Sequence, residues 1–211
     1  MQPGGHQSFI NFQFLSAWRI AAPAYPRLEI CPDPVLAKVA EQLLPRPAIL
    51  CHLATSQPKK EWPLAHWAEL YRRATAAGQE LVFSTGISPR ERAILEDLRK
   101  QLPGVPALPA LPDLPTFLAV LKRARMFISG DTGPLHFAAG LGVPTIGLFG
   151  PSEASKWAPL GELHRALQAD RCSCSGETSV CLSVSPCMAA ISPEAVLGLL
   201  LDSSFHGHWQ D

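Results

Sequence analysis

Phe127-Ile128-Ser129-Gly130-Asp131-Thr132-Gly133-Pro134-Leu135-His136-Phe137-Ala138-Ala139-Gly140-Leu141-Gly142-Val143-Pro144-Thr145-Ile146-Gly147-Leu148-Phe149-Gly150 is the stretch that decides the fold. Its apolar lead-in stops at a polar turn, Ser129 to Gly133. Leu135 to Leu141 follows with the composition of a short buried helix, and Gly142 closes it. Val143 to Phe149 is apolar again and ends at Gly150-Pro151. Strand, helix and strand in this order, each too apolar to face water along its length, make one βαβ unit of a parallel sheet. The chemistry of the unit lies at its turn. The first N–H groups of a helix have no intrahelical partner and attract anions, and glycine lets the chain approach a phosphate closely.

Outward from this unit the alternation repeats. Ala48 to Leu53 reads as a strand, residues 54–63 as a polar turn, and Leu64 to Ala77 as a helix with Leu64, Trp67, Ala68 and Tyr71 on one stripe. Glu80 to Ser84 gives a second strand and Pro89 to Leu102 a charged helix. Five prolines between Pro103 and Pro115 break regular structure, with Leu108 to Leu111 as a short edge strand. Leu114 to Arg125 is the helix that leads into the opening unit, and a loop containing Trp157 follows Pro151. Ser192 caps a closing helix through Leu201, with Pro193 at its first position. Upstream, Tyr25 to Ile30 reads as a short strand and Val35 to Leu44 as a short helix, while residues before them show no clear period.

The expected class is α/β, a Rossmann-like doubly wound parallel sheet over residues 46–201, with residues 1–45 a linker and 202–211 a tail. Such sheets bind ligands at the carboxyl ends of their strands. Both polar turns, 54–63 and 129–136, fall there.

Composition sets the limits. The chain has 211 residues, 47% of them hydrophobic and 17% charged, which suits one well-buried domain. Net charge is zero, and Lys and Arg are scattered rather than striped, so a nucleic-acid partner is not expected. No apolar run approaches the roughly 18 residues of a membrane span, and the N-terminus lacks the pattern of a secretory signal. The expectation is a cytoplasmic protein without a transmembrane segment, a setting compatible with peripheral contact at the inner face of a membrane.

Asp131 or Thr132 alone would be an ordinary helix cap, and a lone histidine is ordinarily a packed residue. His136 differs in lying on the first helical turn beside both, where it can donate to a phosphate or pair with the carboxylate. The string Asp131-Thr132-Gly133-Pro134-Leu135-His136, followed by Ala138-Ala139-Gly140-Leu141-Gly142-Val143-Pro144-Thr145 and Leu148-Phe149-Gly150-Pro151, closely resembles the signature of glycosyltransferase family 9, the family of the ADP-heptose:lipopolysaccharide heptosyltransferases. The resemblance covers residues 26 to 200. Within it, Thr55-Ser56-Gln57-Pro58-Lys59-Lys60-Glu61-Trp62-Pro63 resembles the family's nucleotide-side motif, in which a lysine two residues before Trp-Pro meets the donor's phosphates. Lys60 holds that position. The resemblance makes Thr55 and Ser56 its hydroxyl partners and places Glu91 near the nucleoside ribose. Read as a residue, Glu91 opens a charged helix, and a solvated surface position is the competing account.

The resemblance implies the C-terminal, donor-binding half of a GT-B pair of Rossmann-like domains. The reaction would transfer a sugar from a nucleotide-sugar donor, ADP-heptose, to a saccharide or lipopolysaccharide-core acceptor, with no cofactor required. Departure of the nucleoside diphosphate is the central electrostatic problem. Lys60, the amides around Thr132 and Gly133, and His136 would stabilise it, with Asp131 orienting His136 or the turn. The acceptor site and general base would belong to an N-terminal domain of which residues 1–45 are the remnant. Asp33, in Cys31-Pro32-Asp33-Pro34, reads as a turn residue rather than that base. A non-catalytic module that retains the donor pocket shares every motif with the transferase. A nucleotide-sugar epimerase of the same architecture fits the two motifs less well.

Four of the six cysteines, Cys172, Cys174, Cys181 and Cys187, crowd into one segment. A structural iron or zinc, reduced thiols packed in a loop, and a disulfide all remain open for them, since the first pair is spaced more closely than a standard zinc knuckle. Cys31 and Cys51 read as ordinary small core residues.

Overall fold

Ile49–His52 (β1), Leu81–Ser84 (β2), Met126–Gly130 (β3), Thr145–Phe149 (β4) and His164–Gln168 (β5) pair in parallel in the order β2-β1-β3-β4-β5. The structure is a computed structural model that describes residues 5–20, 28–169, 181 and 186–202. Strands β1, β3 and β4 are buried at every position, which is why their sequences are continuous apolar runs rather than alternating ones. Register pairs Ile49 with Leu81 and Met126, and His52 with Ser84 and Ser129. The carboxyl ends of the first three strands therefore finish level.

Helices cover both faces. Leu64–Ala76 (α3), Pro89–Gln101 (α4) and Pro193–Leu201 (α8) lie on one face, where Trp67, Leu70, Leu98, Val196 and Leu200 join Ile49, Cys51 and Ile128 in a core. Ala37–Leu43 (α2), Leu114–Lys122 (α5) and Gly133–Gly140 (α6) cover the other, where Ala40, Val120, Leu121, Leu135 and Ala138 meet Leu50, Phe127 and Phe149. Gln7–Gln13 (α1) and Ala154–Trp157 (α7) are short surface elements. The connection from β1 runs to β2 on one side, and the chain then returns to place β3 on the other. This reversal opens a crevice at the carboxyl ends of β1 and β3, the topological switch point where open α/β sheets bind their ligands.

The expected doubly wound parallel sheet is present, with local differences. The segment after Pro151 holds α7 and a full edge strand, β5, where a loop was expected. β5 reads His-Arg-Ala-Leu-Gln and is half-exposed, so it lacks the apolar run that marks the central strands. Leu28 to Ile30 form no strand; Ile30 N–H instead donates to the Gly140 carbonyl, and the absence of a side chain at Gly140 leaves room for Ile30 and Leu28 to cross α6. The proline-rich edge pairs with β2 through a single bridge, Phe83 with Ala107, closed by Leu108 N–H on the Phe83 carbonyl, and does not run on as a strand to Leu111. Pro109 and Pro112 have no N–H to continue the ladder. Among the described residues no helix is long and apolar enough to cross a membrane.

Candidate functional site

The turns after β1 and β3 meet over the switch point because Gly130 has no side chain. A Cβ there would lie 2.7 Å from the Lys60 carbonyl oxygen and 3.1 Å from Thr55 Cγ2. The close approach lets Lys60 reach across. Its Nζ donates to Asp131 Oδ2 at 2.6 Å, and the two side chains are only 21% and 10% exposed. Lys60 is thus not the solvated lysine that turns usually carry. On the far side of the carboxylate, His136 Nε2 stands 3.9 Å from Asp131 Oδ1.

Electrostatics at Asp131 follow from these neighbours. Burial alone would raise its pKa, but His136, Lys60 and Ser152 together outweigh that penalty and hold the carboxyl well below the usual carboxylate range. Asp131 is therefore an anion at any physiological pH. It does not cap α6. Thr132 occupies the N-cap position, and its side chain makes no capping hydrogen bond. Gly133 is exposed at the helix start. An uncapped N-terminus, a lysine and a histidine converge here, and all three favour an anion.

The turn after β1 is internally braced. Thr55 Oγ1 donates to the Gln57 carbonyl at 2.6 Å and accepts from Gln57 N–H at 3.2 Å, so this hydroxyl shapes the turn, while Ser56 stands exposed. Glu61 Oε1 accepts from Thr55 N–H at 3.1 Å and from Arg90 Nη1 at 2.7 Å, and Arg90 Nη2 donates to the Thr55 carbonyl. Sequence reasoning missed Glu61 and Arg90, which come from different elements. Trp62 anchors the same turn from below by donating its indole N–H to the Ile191 carbonyl at 2.9 Å.

Glu91 lies at the start of α4, on the neighbouring turn. It is not a freely solvated residue, since Ser88 and Glu91 form a reciprocal capping box, with Ser88 Oγ donating to Glu91 Oε2 at 2.6 Å and Ser88 N–H at 3.1 Å. Its carboxylate rests on Gly86, where a Cβ would come within 2.4 Å of Oε2. The Ser-Pro-Arg-Glu spacing of residues 88–91 is the sequence signal for that box. Beneath this turn His52 is buried between the rings of Phe117 and Phe127, with Nδ1 3.0 Å from Ser84 Oγ.

The structure thus brings Lys60, Asp131, Thr132, Gly133 and His136 into one crevice, with Thr55 and Ser56 on its β1 side and Glu91 at the next strand end. A separate cleft of about 640 Å³ starts at His136 and runs along the outer face of α6 toward Gly142 and His164; neither Lys60 nor Asp131 is among its described walls. Asp33 caps a short 3-10 turn by accepting from Val35 N–H at 2.9 Å, as a turn residue should. Cys51 is fully buried, and burial pushes its thiol pKa up, whereas Cys31 is exposed rather than a core residue. Of the clustered cysteines, Cys172 and Cys174 lie outside the described residues. Cys187 is buried, with Sγ 2.8 Å from the place a Gly150 Cβ would occupy. Among the described residues no group of three or more His, Cys, Asp or Glu side chains is placed to hold a metal ion.

Comparison with known proteins bears on this crevice. The model of glycosyltransferase family 9 (heptosyltransferase) matches residues 14–182. Lipopolysaccharide heptosyltransferase 1 of Pseudomonas aeruginosa is 39% identical over 116 residues, covering 55% of this chain and 32% of that protein. Lipopolysaccharide heptosyltransferase 3 of Escherichia coli is 30% identical over 102 residues, covering 47% of this chain and 30% of that protein. The chain therefore spans about a third of the length of these relatives. Among solved structures, a family 9 glycosyltransferase from Veillonella parvula superposes with a TM-score of 0.77 at 20% identity, over 95% of this chain and 60% of that one. The ADP-heptose lipopolysaccharide heptosyltransferase II of E. coli gives 0.68 at 20% identity, over 92% and 58%. At such identities the likeness speaks for the fold.

Proposed function

The chain belongs to glycosyltransferase family 9, and from that premise we propose that it is the donor-binding half of a heptosyltransferase-like glycosyltransferase. The donor is a nucleotide sugar, ADP-heptose, and the acceptor a lipopolysaccharide-core or related saccharide, on the cytoplasmic side of the membrane. Residues 46–201 form the nucleotide-sugar domain in this proposal. The observation that carries it is the pairing of Lys60 with Asp131 at 2.6 Å beside the uncapped start of α6, which puts a cation, free amides and His136 at one switch point.

In transfer, an acceptor hydroxyl oxygen bonds to the anomeric carbon and gives its proton to a base outside this crevice, while the bond from that carbon to the diphosphate oxygen breaks and the oxygen keeps the electron pair. The site's task is to stabilise that developing charge without reorganising. Lys60 turns from Asp131 toward the phosphates, the amides of Thr132 and Gly133 receive non-bridging phosphate oxygens, and His136 donates from the first turn of the helix. Asp131 holds Lys60 in place before the donor arrives, with His136 beside the same carboxylate. Glu91 accepts from the ribose hydroxyls through the carboxylate edge that the capping box leaves open. Protein groups suffice for these roles, and we assign no cofactor to the step.

A second function shares the donor site, a nucleotide-sugar-binding module without turnover of its own. One observation favours it. The carboxylates around the crevice all have tasks, Glu61 in its pair with Arg90, Asp131 beside Lys60 and His136, and Glu91 at the proposed ribose side, which leaves acceptor activation to a group outside this crevice. Calorimetric titration with ADP tests the donor site, and absence of binding would overturn both accounts. Incubation with ADP-heptose and a lipopolysaccharide-core acceptor separates them, because sugar transfer by this chain alone excludes the binding module.

A further inference from the structure

We propose that Arg90 and Glu61 are positioning residues that hold the Lys60 turn in its anion-binding shape, a role that rests on the donor function proposed above. The turn from Thr55 to Glu61 is closed on itself, since the Glu61 carboxylate accepts from the N–H of Thr55 at 3.1 Å. Arg90 then locks the closure from outside. Its Nη1 donates to the same Glu61 oxygen at 2.7 Å, and its Nη2 donates to the Thr55 carbonyl. Both backbone groups of Thr55 are thereby held by side chains, beyond the point where β1 has ended.

The chemistry of the pair suits positioning rather than direct anion binding. A guanidinium is planar and presents its donors in a fixed fork, so two bonds to two different acceptors leave it one orientation. Its charge is already balanced by Glu61, whose side chain is 18% exposed. Lys60 immediately precedes Glu61, so fixing Glu61 fixes the origin of the lysine's flexible stem. The same helix start that supplies Arg90 supplies Glu91 one residue later, itself fixed by Ser88 and packed on Gly86. One helical turn therefore connects the phosphate side of the crevice to its nucleoside side. A site held in its binding geometry loses less freedom when the ligand enters.

The test is a double-mutant cycle read by ADP titration, with thermal unfolding as the check on folding. Arg90→Ala is expected to weaken ADP binding about tenfold, the scale of a lost hydrogen bond to a charged group, and Arg90→Lys to recover part of it. Made on a Lys60→Ala background, Arg90→Ala is expected to cost less than about twofold, because its effect passes through Lys60. A general loss of structure would not depend on Lys60 in this way. Should Arg90→Ala fail to fold, Glu61→Gln, which retains an oxygen for Thr55 N–H, carries the same cycle. Unchanged ADP affinity in the folded brace variants, or an equal loss on both backgrounds, overturns the proposal. If the wild-type chain does not bind ADP, or Lys60→Ala binds as well as wild type, the donor function itself fails.

Discussion

Lys60 and Asp131 stand 71 residues apart in sequence, yet Lys60 Nζ and Asp131 Oδ2 lie 2.6 Å apart across the mouth of the switch point. The pair joins the turns after β1 and β3 with a single charge-assisted bond, shielded on both sides but not sealed from solvent. An ion pair in that position can be exchanged for a ligand. A diphosphate offers Lys60 a stronger anion than the carboxylate does, and Asp131 still retains His136.

Lys60→Ala should therefore fail in two separable ways. ADP binding is expected to weaken by about 1–3 kcal/mol. Stability should also fall by about 1–3 kcal/mol, because the mostly buried Asp131 is left without its nearest cation. Adding Asp131→Asn should restore much of the stability without restoring the binding. His136→Ala should weaken ADP binding on the same scale while changing the unfolding midpoint little, since its side chain is 37% exposed. Calorimetry and urea denaturation on the three variants and wild type check both halves.

Gly130→Ala is the sharpest steric test of the crevice. Its new methyl group would lie 2.7 Å from the Lys60 carbonyl oxygen, a backbone atom that cannot swing aside. The two turns must separate. We expect a stability loss of about 1–3 kcal/mol, typical of overpacking, together with a loss of ADP affinity at least as large as that of Lys60→Ala. Wild-type affinity in this variant would mean that the turns need not touch to bind the donor.

Much of this was legible because parallel strands buried on both faces announce themselves as apolar runs, and the turns between them as breaks in those runs. Phe127 to Phe149 displayed strand, turn, helix and strand within a single window. β5 was not legible, because an edge strand reading His-Arg-Ala-Leu-Gln carries no period that separates it from a loop. Residues 28–30 carry the composition of a strand, but Ile30 N–H is taken by the carbonyl of Gly140 on a helix. Resemblance to the family's motif pointed to Lys60, and the polar turn at the helix start pointed to Asp131 and His136. Neither could point to Arg90, whose partner Glu61 is 29 positions away and is reached only once β1 and β2 lie side by side. Glu91 carried a visible capping signal, three residues after Ser88, that decides its local structure without deciding its function.

Glu91 and Ser88 can be separated by substitution. Ser88→Ala removes the cap and is expected to cost about 1 kcal/mol of stability, with ADP affinity retained because Glu91 keeps its place against Gly86. Glu91→Ala breaks the same box but also removes the proposed ribose acceptor, so ADP affinity should fall about tenfold. Equal ADP affinities for the two variants would reduce Glu91 to a capping residue.

The buried histidine gives the protein a pH dependence whose sign is fixed by its surroundings. Burial lowers the His52 pKa to about 4, with the charge of Glu91 pulling the other way, against an ordinary value near 6.5 in the unfolded chain. Between those two values the unfolded state binds the proton and the folded state does not. Stability is therefore fully present above pH ~6.5 and is lost as pH falls toward 4, by up to about 3 kcal/mol from this residue. His164, lowered to about 4 by burial and then by Arg165, acts in the same direction. Asp131 contributes in a lower window, losing its stabilisation only as pH drops beneath the ordinary carboxylate range. His52→Gln, which retains a polar partner for Ser84, should flatten the curve between pH 6.5 and 4.5. Urea denaturation of wild type and variant across that range measures it, and parallel curves would show that His52 titrates alike in the folded and unfolded chain.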